Sequence, residues 1–167
     1  DETHAQVRKN FPYVECVLSQ DNLGYAGGNN VGIERALSRQ ADYVAVVTQD
    51  VTVSEDWLLE SVAAAESDAR IAVVQPLLLL WPNQGTVNSI GNEIHFLGYG
   101  YAGGYGLRRE QAGVAGIMDI PYASGAVILL RASTLRQVGF FDEEMWMYNE
   151  DQDLGWRMAL AGFRNVI

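Results

Sequence analysis

Residues 42–48 read Asp-Tyr-Val-Ala-Val-Val-Thr, a nearly continuous apolar run that ends at the polar pair Gln49-Asp50. A second run of the same kind lies at Arg70–Gln75 (RIAVVQ). Runs of this length, rich in valine and isoleucine, are typical of strands that are buried on both faces of a parallel sheet. The two runs therefore predict two neighbouring strands of a central sheet.

Helical patterns precede and separate these strands. Ser54 is a candidate N-cap for a helix with apolar residues at helical spacing: Trp57, Leu58, Val62 and Ala65. Upstream, Tyr13–Leu18 reads as a strand, and a glycine-rich turn opens a helix over about Asn29–Arg39, with an apolar stripe at Ile33, Ala36 and Leu37. Alternating strands and helices predict an α/β fold, a mostly parallel sheet flanked by helices.

The pattern changes after Pro82, where residues 83–120 are rich in Gly and Tyr and predict a small antiparallel excursion. A buried strand is predicted at Ser124–Arg131, followed by a short helix at Ala132–Val138 that ends at Gly139. The last predicted elements are a helix at about Asp151–Ala161 and a strand at Phe163–Ile167. The inner stripe of that helix consists of Leu154, Met158 and Ala161. We interpret residues 1–167 as a single domain.

Composition narrows the functional classes. The net charge of −10 disfavours nucleic acid as a partner, and a small phosphorylated substrate would need a divalent cation to screen it. The single Cys16 excludes an internal disulfide, fits a reducing, cytoplasmic compartment, and is expected to be buried. No signal peptide is visible, and the longest apolar run is too short to span a bilayer.

The stretch Phe140–Arg157 places several carboxylates beside two tryptophans, immediately before a helical pattern. Because aromatic side chains exclude water, a carboxylate among them can become a tuned base, so the stretch indicates a catalytic end. The alternative is an acidic helix start over the edge of the core. Asp153 and Arg157 have the spacing of an ion pair within the helix.

Other candidates are weaker. Gly27 and Gly28 would let backbone N–H groups approach a phosphate or a sugar, or would simply form a tight turn. Asp50 follows a buried strand, where a carboxylate can bind Mg²⁺ or Mn²⁺ or serve as a turn residue. His4 and His95 show no metal-ligand spacing. The glycine-rich turn is not the phosphate-binding GxGxxG fingerprint, the Gly-Lys-Ser/Thr of a P-loop does not occur in the sequence, and Ser124 has no nucleophile elbow around it.

Four segments together are more specific: NLGYAGGNNVGI (22–33), TQDV (48–51), SGAVILLR (124–131) and FFDEEMWMYNEDQDLGWRMALAGF (140–163). In order and spacing they resemble the family 2 glycosyltransferases, inverting enzymes of the GT-A fold, and the rhamnosyltransferase-like branch looks closest. The resemblance covers nearly the whole chain from about Phe11. It implies a nucleotide-diphosphate sugar donor and a saccharide or lipid-linked acceptor, often at the inner face of the bacterial membrane.

The resemblance also implies residue roles. Asp50 matches the last acid of the family's Asp-x-Asp-type motif. The motif reads Thr48-Gln49-Asp50 here, so its first acid is absent. Asp50 is therefore the expected ligand for Mg²⁺ or Mn²⁺ on the donor diphosphate. The positions implied for the donor pocket are Gly27, Gly28, Asn29, Ser124, Gly125 and Ala126.

In the acidic pair Glu150-Asp151, the second member matches the catalytic base of the family, with Glu150 as its neighbour in the acceptor site. Trp146 matches a position beside the path of the acceptor. The match also implies that a strand before this sequence and a metal-site histidine after it are missing. Two alternatives stay open, namely a sugar nucleotidyltransferase and a non-catalytic domain that binds saccharide or a partner protein.

Overall fold

The structure is a computed structural model that describes residues 2–167. Its helices are α1 (Thr3–Asn10), α2 (Gly24–Ser38), α3 (Trp57–Glu66), α4 (Ala132–Val138) and α5 (Glu150–Leu160). Its strands are β1 (Tyr43–Val47), β2 (Ile71–Val74), β3 (Leu78–Leu79), β4 (Val87–Ser89), β5 (Asn92–Ile94), β6 (Gly100–Ala102), β7 (Val127–Arg131) and β8 (Arg164–Val166). Single 3₁₀ turns lie at Arg109–Gln111 and Glu143–Met145.

A four-stranded sheet in the order β1-β7-β2-β8 forms the centre of the fold. β7 runs antiparallel to both β1 and β2, whereas β2 and β8 are parallel. β1, β2 and β8 therefore share one direction, and β7 is the single reversed strand between them. The predicted α/β fold is confirmed. Three of the four strands run in one direction, as in a mostly parallel sheet, but two of the three strand pairings are antiparallel because β7 lies between β1 and β2.

Two layers of side chains cover the sheet. On one face, α2, α4 and α5 pack against the strands through Ile33, Leu135, Leu154 and Met158. On the other face, α3 packs through Ala65. Alternate residues of β7 divide between the two layers: Ile128 and Leu130 face the first and Leu129 the second, as the period-2 geometry of a strand requires. β7 and β2 are thus buried on both faces.

β1 differs from the prediction because it lies at the edge of the sheet. Val44 and Val46 are buried, but Ala45 and Val47 are exposed. The second helical layer does not extend over the outer face of this strand, so only one of its faces is covered, whereas the apolar run predicts two.

The strand predicted at Tyr13–Leu18 is wrong. No strand pairing of the described residues includes this segment, and Tyr13 and Leu18 are largely exposed. A strand requires a partner for its backbone groups. Here the segment lies beside α2 instead, held by ion pairs from Glu15 to Arg35 and Arg39. Cys16, expected to be buried, is half-buried in this segment.

Smaller corrections concern helix ends. α2 begins at Gly24, so Gly27 and Gly28 lie inside its first turns rather than in a turn before it. Asp56, not Ser54, occupies the N-cap position of α3. Leu58 on α3 and Ala161 after α5 are exposed and do not belong to the predicted inner stripes. Each helix still packs against the core through other residues of its predicted stripe, α3 through Ala65 and α5 through Leu154 and Met158.

The predicted antiparallel excursion is confirmed. β3 pairs with β4, and β5 pairs with β6, in two antiparallel hairpins. An isolated bridge between Asn92 and Tyr122 ties the second hairpin to the segment that leads into β7. The excursion is thereby placed beside the N-terminal half of α5. Among the described residues, no helix is both long enough and apolar enough to cross a bilayer.

Candidate active site

The end of β1 and the start of β7 meet at one edge of the sheet. Val47 lies opposite Val127, and Thr48 then donates two hydrogen bonds to the carbonyl oxygen of Ala126, from its N–H (3.0 Å) and from its hydroxyl (3.3 Å). Asp50 follows two residues later. The structure thus brings the predicted metal ligand and the Ser124–Ala126 segment to the same edge.

The segment Ser124–Ala126 is fixed by main-chain hydrogen bonds. The N–H of Ser124 donates to Oε1 of Gln75 at 2.6 Å, and Gln75 is fully buried. The N–H of Gly125 donates to Oδ2 of Asp151 at 2.9 Å. These bonds connect three elements, because Gln75 follows β2, Asp151 belongs to α5, and the segment itself enters β7.

Asp151 is the second residue of α5 and is partly buried. Its Oδ1 accepts a hydrogen bond from the N–H of Gln152 at 2.8 Å, while Oδ2 is held by Gly125. Burial raises the pKa of the Asp151 carboxyl above its ordinary value, and these two N–H groups oppose that shift without reversing it. A carboxylate fixed in this way, with a raised pKa, has the properties of a general base.

Glu150 differs from its neighbour because it is buried and one of its carboxylate oxygens, Oε2, has no hydrogen-bond partner among the described residues. Burial raises the pKa of Glu150, and the charge of Asp151 raises it further. The two acids of the predicted pair therefore lie in different environments. Burial raises the pKa of both, but each oxygen of Asp151 accepts a backbone N–H, whereas Oε2 of Glu150 has no partner among the described residues.

The backbone immediately before α5 is strained. Trp146, Tyr148 and Asn149 have φ angles of 55°, 72° and 68°, which non-glycine residues rarely adopt. The carbonyl oxygen of Trp146 accepts a hydrogen bond from the N–H of Ala26 at 3.1 Å, so this loop covers the N-terminus of α2. A side chain at Gly24 would lie 2.4 Å from that oxygen, which explains the glycine.

Two residues of α2 that no sequence motif singles out support the site. The hydroxyl of Tyr25 donates to the carbonyl oxygen of Gly125 at 2.5 Å. The side chain of Asn30 is buried and binds the backbone of Phe141 in both directions, at 2.9 and 3.1 Å. The available signal was the position of Asn30, three residues before Ile33 on the inner face of the helix, where an unpaired amide would be costly.

The three donor-pocket residues predicted on α2 have different surroundings. Gly27 is buried, and Gly28 is exposed with no atom within 4 Å of the place where a Cβ would stand. The side-chain amide of Asn29 donates to the carbonyl oxygen of Tyr25 within the helix at 2.8 Å. Their role in binding a donor stays a prediction, as does the proposed contact of Trp146, whose side chain is 47% exposed, with an acceptor.

Asp50 is an exposed residue in the turn after β1, and its carboxylate makes no hydrogen bond or ion pair with residues 2–167. No group of three or more potential metal-binding side chains occurs within that range. In many sites Mg²⁺ or Mn²⁺ is bound by one or two carboxylates, with substrate phosphates and water as the other ligands. The free carboxylate of Asp50 could serve in a site of this kind. Asp50 is thus compatible with such a cation, but the described residues do not form a complete metal cage.

The family model for "Glycosyl transferase family 2" matches residues 1–104. The chain belongs to glycosyl transferase family 2. This confirms the resemblance drawn from the four sequence segments. The matched range includes α2, Asp50 and the first hairpins of this family 2 domain, whereas Asp151 lies beyond it.

Two curated relatives come from Mycobacterium tuberculosis. The pre-mycofactocin glycosyltransferase is 30% identical over 151 residues, which cover 90% of this chain and 30% of that protein. The N-acetylglucosaminyl-diphospho-decaprenol L-rhamnosyltransferase is 47% identical over 47 residues, which cover 28% of this chain and 15% of that protein. The family 2 chain spans less than a third of the length of these relatives.

A solved structure shows the same fold. The crystal structure of GalNAc-T7 with UDP, GalNAc and Mn²⁺ superposes with a TM-score of 0.76, covering 99% of this chain and 33% of that one at 12% sequence identity. The GT-A-like fold expected from the resemblance is therefore confirmed for the family 2 chain.

Proposed function

We propose that this chain is the catalytic core of an inverting glycosyltransferase. It would move a sugar from a nucleotide-diphosphate donor to a hydroxyl of a saccharide acceptor. The observation that carries the proposal is the carboxylate of Asp151, partly buried, raised in pKa, and aligned by the N–H of Gly125 at 2.9 Å. Family membership supplies the reaction class.

In this mechanism Asp151 takes the proton from the acceptor hydroxyl. The acceptor oxygen then attacks the anomeric carbon from the face opposite the diphosphate. As the new glycosidic bond forms, the bond to the diphosphate breaks and its electron pair leaves with the diphosphate, so the configuration inverts. A positioned base of this kind contributes roughly 10²–10⁴ in rate.

The neighbouring carboxyl of Glu150 would not share this role. Adjacent side chains on a helix point in different directions, so the pair does not suit the two-carboxylate arrangement of a glycosidase, whose acids face each other across the sugar. Glu150 is buried with a raised pKa, and we assign it to shaping the acceptor side of the site.

The donor would lie along the sheet edge formed by Ser124–Ala126 and the first turns of α2, where Gly27, Gly28 and Asn29 stand. A divalent cation, Mg²⁺ or Mn²⁺, bound through Asp50 would supply Lewis-acid stabilisation of the negative charge on the diphosphate. A lipid-linked acceptor at the inner membrane face belongs to the proposal through the family resemblance alone.

Calorimetric titration with UDP- and dTDP-sugars, with and without Mn²⁺, tests the proposal. We expect at least one nucleotide-sugar to bind more tightly in the presence of the metal, and its sugar to be transferred with inversion to a hydroxyl acceptor. A nucleoside triphosphate mixed with a sugar 1-phosphate serves as control. Release of pyrophosphate from that mixture would instead identify a nucleotidyltransferase, and no metal-dependent binding of any donor would contradict the proposed function.

A further inference from the structure

A groove of about 550 Å³ lies outside the site described above, between the tip of the β5–β6 hairpin and the outer face of α5. Leu97 and Tyr99 form the hairpin wall, and Trp156 and Leu160 form the helix wall. With about 100° per residue, Trp156 points roughly 140° away from Asp151 around the helix. The groove is therefore separate from the carboxylate, and its volume is in the range of sites that bind small molecules.

The walls of the groove are held in place. The side-chain amide of Gln152 donates to the carbonyl oxygen of Gly98 at 2.6 Å, which ties the hairpin tip to α5. The ring of His95 stacks on Tyr99 with 4.4 Å between ring centroids and fixes the orientation of that ring. Tyr99 and Trp156 are nevertheless 55% and 47% exposed. Two aromatic rings thus face an open groove between supported walls.

The charges along the groove cancel. Arg157 forms an ion pair with Asp153, with 2.6 Å between Nη2 and Oδ2, and it also donates to the carbonyl oxygens of Val138 and Phe140. Neither charge is left to bind a charged ligand. In a chain of net charge −10, a groove without a free cation is unsuitable for phosphate, carboxylate or nucleic acid.

We propose that this groove binds a neutral saccharide. A sugar ring combines apolar C–H faces, which pack against the rings of Trp156 and Tyr99, with hydroxyl edges that the exposed amide of Asn149 can address. A purely apolar ligand would cover the exposed amide of Asn149 without giving it a partner, which is costly. The ring faces together with neutral polar groups therefore favour a polyhydroxyl ligand.

The position of the groove gives the saccharide a role, which rests on the proposed function. Asn149 lines the groove and directly precedes Glu150 and Asp151. An acceptor whose terminal hydroxyl reaches Asp151 around the N-terminus of α5 would place its preceding sugar units in the groove. The groove is then an extended acceptor subsite, which would contribute to the KM of long acceptors and not to the chemical step.

NMR spectroscopy of the tryptophan indole N–H groups tests this inference with maltotetraose, cellotetraose and chitotetraose as probes. Each resonance is assigned by replacing one tryptophan at a time. We expect at least one tetrasaccharide to shift the Trp156 resonance saturably and to leave that of Trp81 in place, since Trp81 is 73% exposed but lies outside the groove. Trp156→Ala and Tyr99→Ala should each weaken binding about tenfold, whereas Trp81→Ala and Asp151→Asn should not.

The inference is overturned if none of the tetrasaccharides shifts Trp156, or if Trp81 responds equally. It is also overturned if dihexanoylphosphatidylcholine, below its micellar concentration, shifts Trp156 when the saccharides do not, because the groove would then bind acyl chains. Saccharide binding in the groove without any sugar transfer would contradict the proposed function alone. Transfer to a tetrasaccharide with unchanged KM in Trp156→Ala would contradict the subsite alone.

Discussion

The N–H of Gly125 donates to Oδ2 of Asp151 across 2.9 Å, and these two residues connect the loop before β7 with the first turn of α5. The carbonyl oxygen of the same glycine accepts the hydroxyl of Tyr25. One residue without a side chain thus joins α2 to the proposed base. A Cβ at position 125 would lie 2.6 Å from the Tyr25 hydroxyl oxygen, so this arrangement requires glycine.

Asp151→Asn should abolish transfer and spare donor binding. The amide cannot accept the proton of the acceptor hydroxyl, so we expect kcat to fall by about 10²- to 10⁴-fold. Calorimetry should show unchanged affinity for the nucleotide-sugar. Glu144→Gln is the control, because Glu144 is an exposed acid in the preceding 3₁₀ turn and its loss should leave kcat unchanged. Turnover of Asp151→Asn within tenfold of the parent would remove Asp151 from the role of base.

The rate of transfer should fall on the acid side at a higher pH than for an ordinary aspartate. The base must be ionised, and burial raises the pKa of Asp151 above the usual value of about 3.9. The other titratable groups around it are Tyr25, Tyr122 and Glu150. Both tyrosines have raised pKa values, about 12 for Tyr122, and stay neutral, which leaves Glu150 as the other carboxyl beside Asp151.

The measurement is the pH profile of kcat/KM in the parent and in Glu150→Gln. Because the charge of Asp151 raises the pKa of Glu150, Glu150 is still neutral where Asp151 titrates, so Glu150→Gln should leave the acid limb at the pH found for the parent. An acid limb in the parent at the ordinary aspartate value would contradict the raised pKa.

Tyr25→Phe should reduce kcat. The phenyl ring can keep its edge-on contact with Phe141, where the centroids are 5.6 Å apart, but the Gly125 carbonyl loses its donor. A loss of one hydrogen bond corresponds to roughly a 3- to 10-fold effect. Tyr105→Phe, at an exposed position, is the matched control. A shifted acid limb in the pH profile would distinguish loss of base alignment from a general loss of stability. An unchanged kcat with an unchanged pH profile would contradict a role of Tyr25 in aligning Asp151.

The sequence predicted most of the sheet because buried strands are recognisable from continuous apolar runs. β2 and β7 fit this rule, since both are covered on two faces. It failed at Tyr13–Leu18, where only Glu15 interrupts the apolar run but no strand of the described residues pairs with it. It also failed to identify β1 as an edge strand. Whether a face is covered depends on where a distant helix packs, and a local pattern does not contain that information.

The sequence indicates the acids of the candidate site, but it does not indicate the groups that align them. Glu150 and Asp151 stand out in the sequence beside two tryptophans. The donors that hold Asp151 are the backbone N–H groups of Gly125 and Gln152, which every non-proline residue possesses. The contact between Tyr25 and Gly125 spans 100 residues of chain, so it emerges only when α2 and β7 meet in the fold.

Asp50→Ala should weaken the metal-dependent part of donor binding. The exposed carboxylate is the proposed protein ligand, so its removal should bring donor affinity in Mn²⁺ close to the value measured without metal. Glu55→Gln, which changes another exposed acid between β1 and α3, is the control and should retain the metal effect. Titration of each variant with the nucleotide-sugar at several Mn²⁺ concentrations measures this. Equal metal dependence in Asp50→Ala and parent would exclude Asp50 from the site.

Gly155→Ala should destabilise the protein although alanine favours helices. Gly155 lies in α5 against the segment before β7, and a Cβ there would lie 2.4 Å from Tyr122 Cβ and 3.0 Å from Tyr122 Cα. Because a backbone atom is involved, relief requires a shift of the helix, at a cost of about 1–3 kcal/mol in the free energy of unfolding. Gly32→Ala in α2 is the control, since nothing lies within 4 Å of its Cβ position. There the gain in helix propensity should stabilise by about 0.5–1 kcal/mol.

Thermal unfolding of the two variants measures this difference. In a domain of this size each 1 kcal/mol corresponds to about 2–4 °C in Tm, so Gly155→Ala should melt below the parent and Gly32→Ala slightly above it. Equal or higher Tm for Gly155→Ala would show that α5 can move away from Tyr122 without cost. The close approach of α5 to this segment also determines the position of Asp151, four residues earlier, relative to Gly125. The destabilised variant should therefore lose kcat as well, and Gly32→Ala should not.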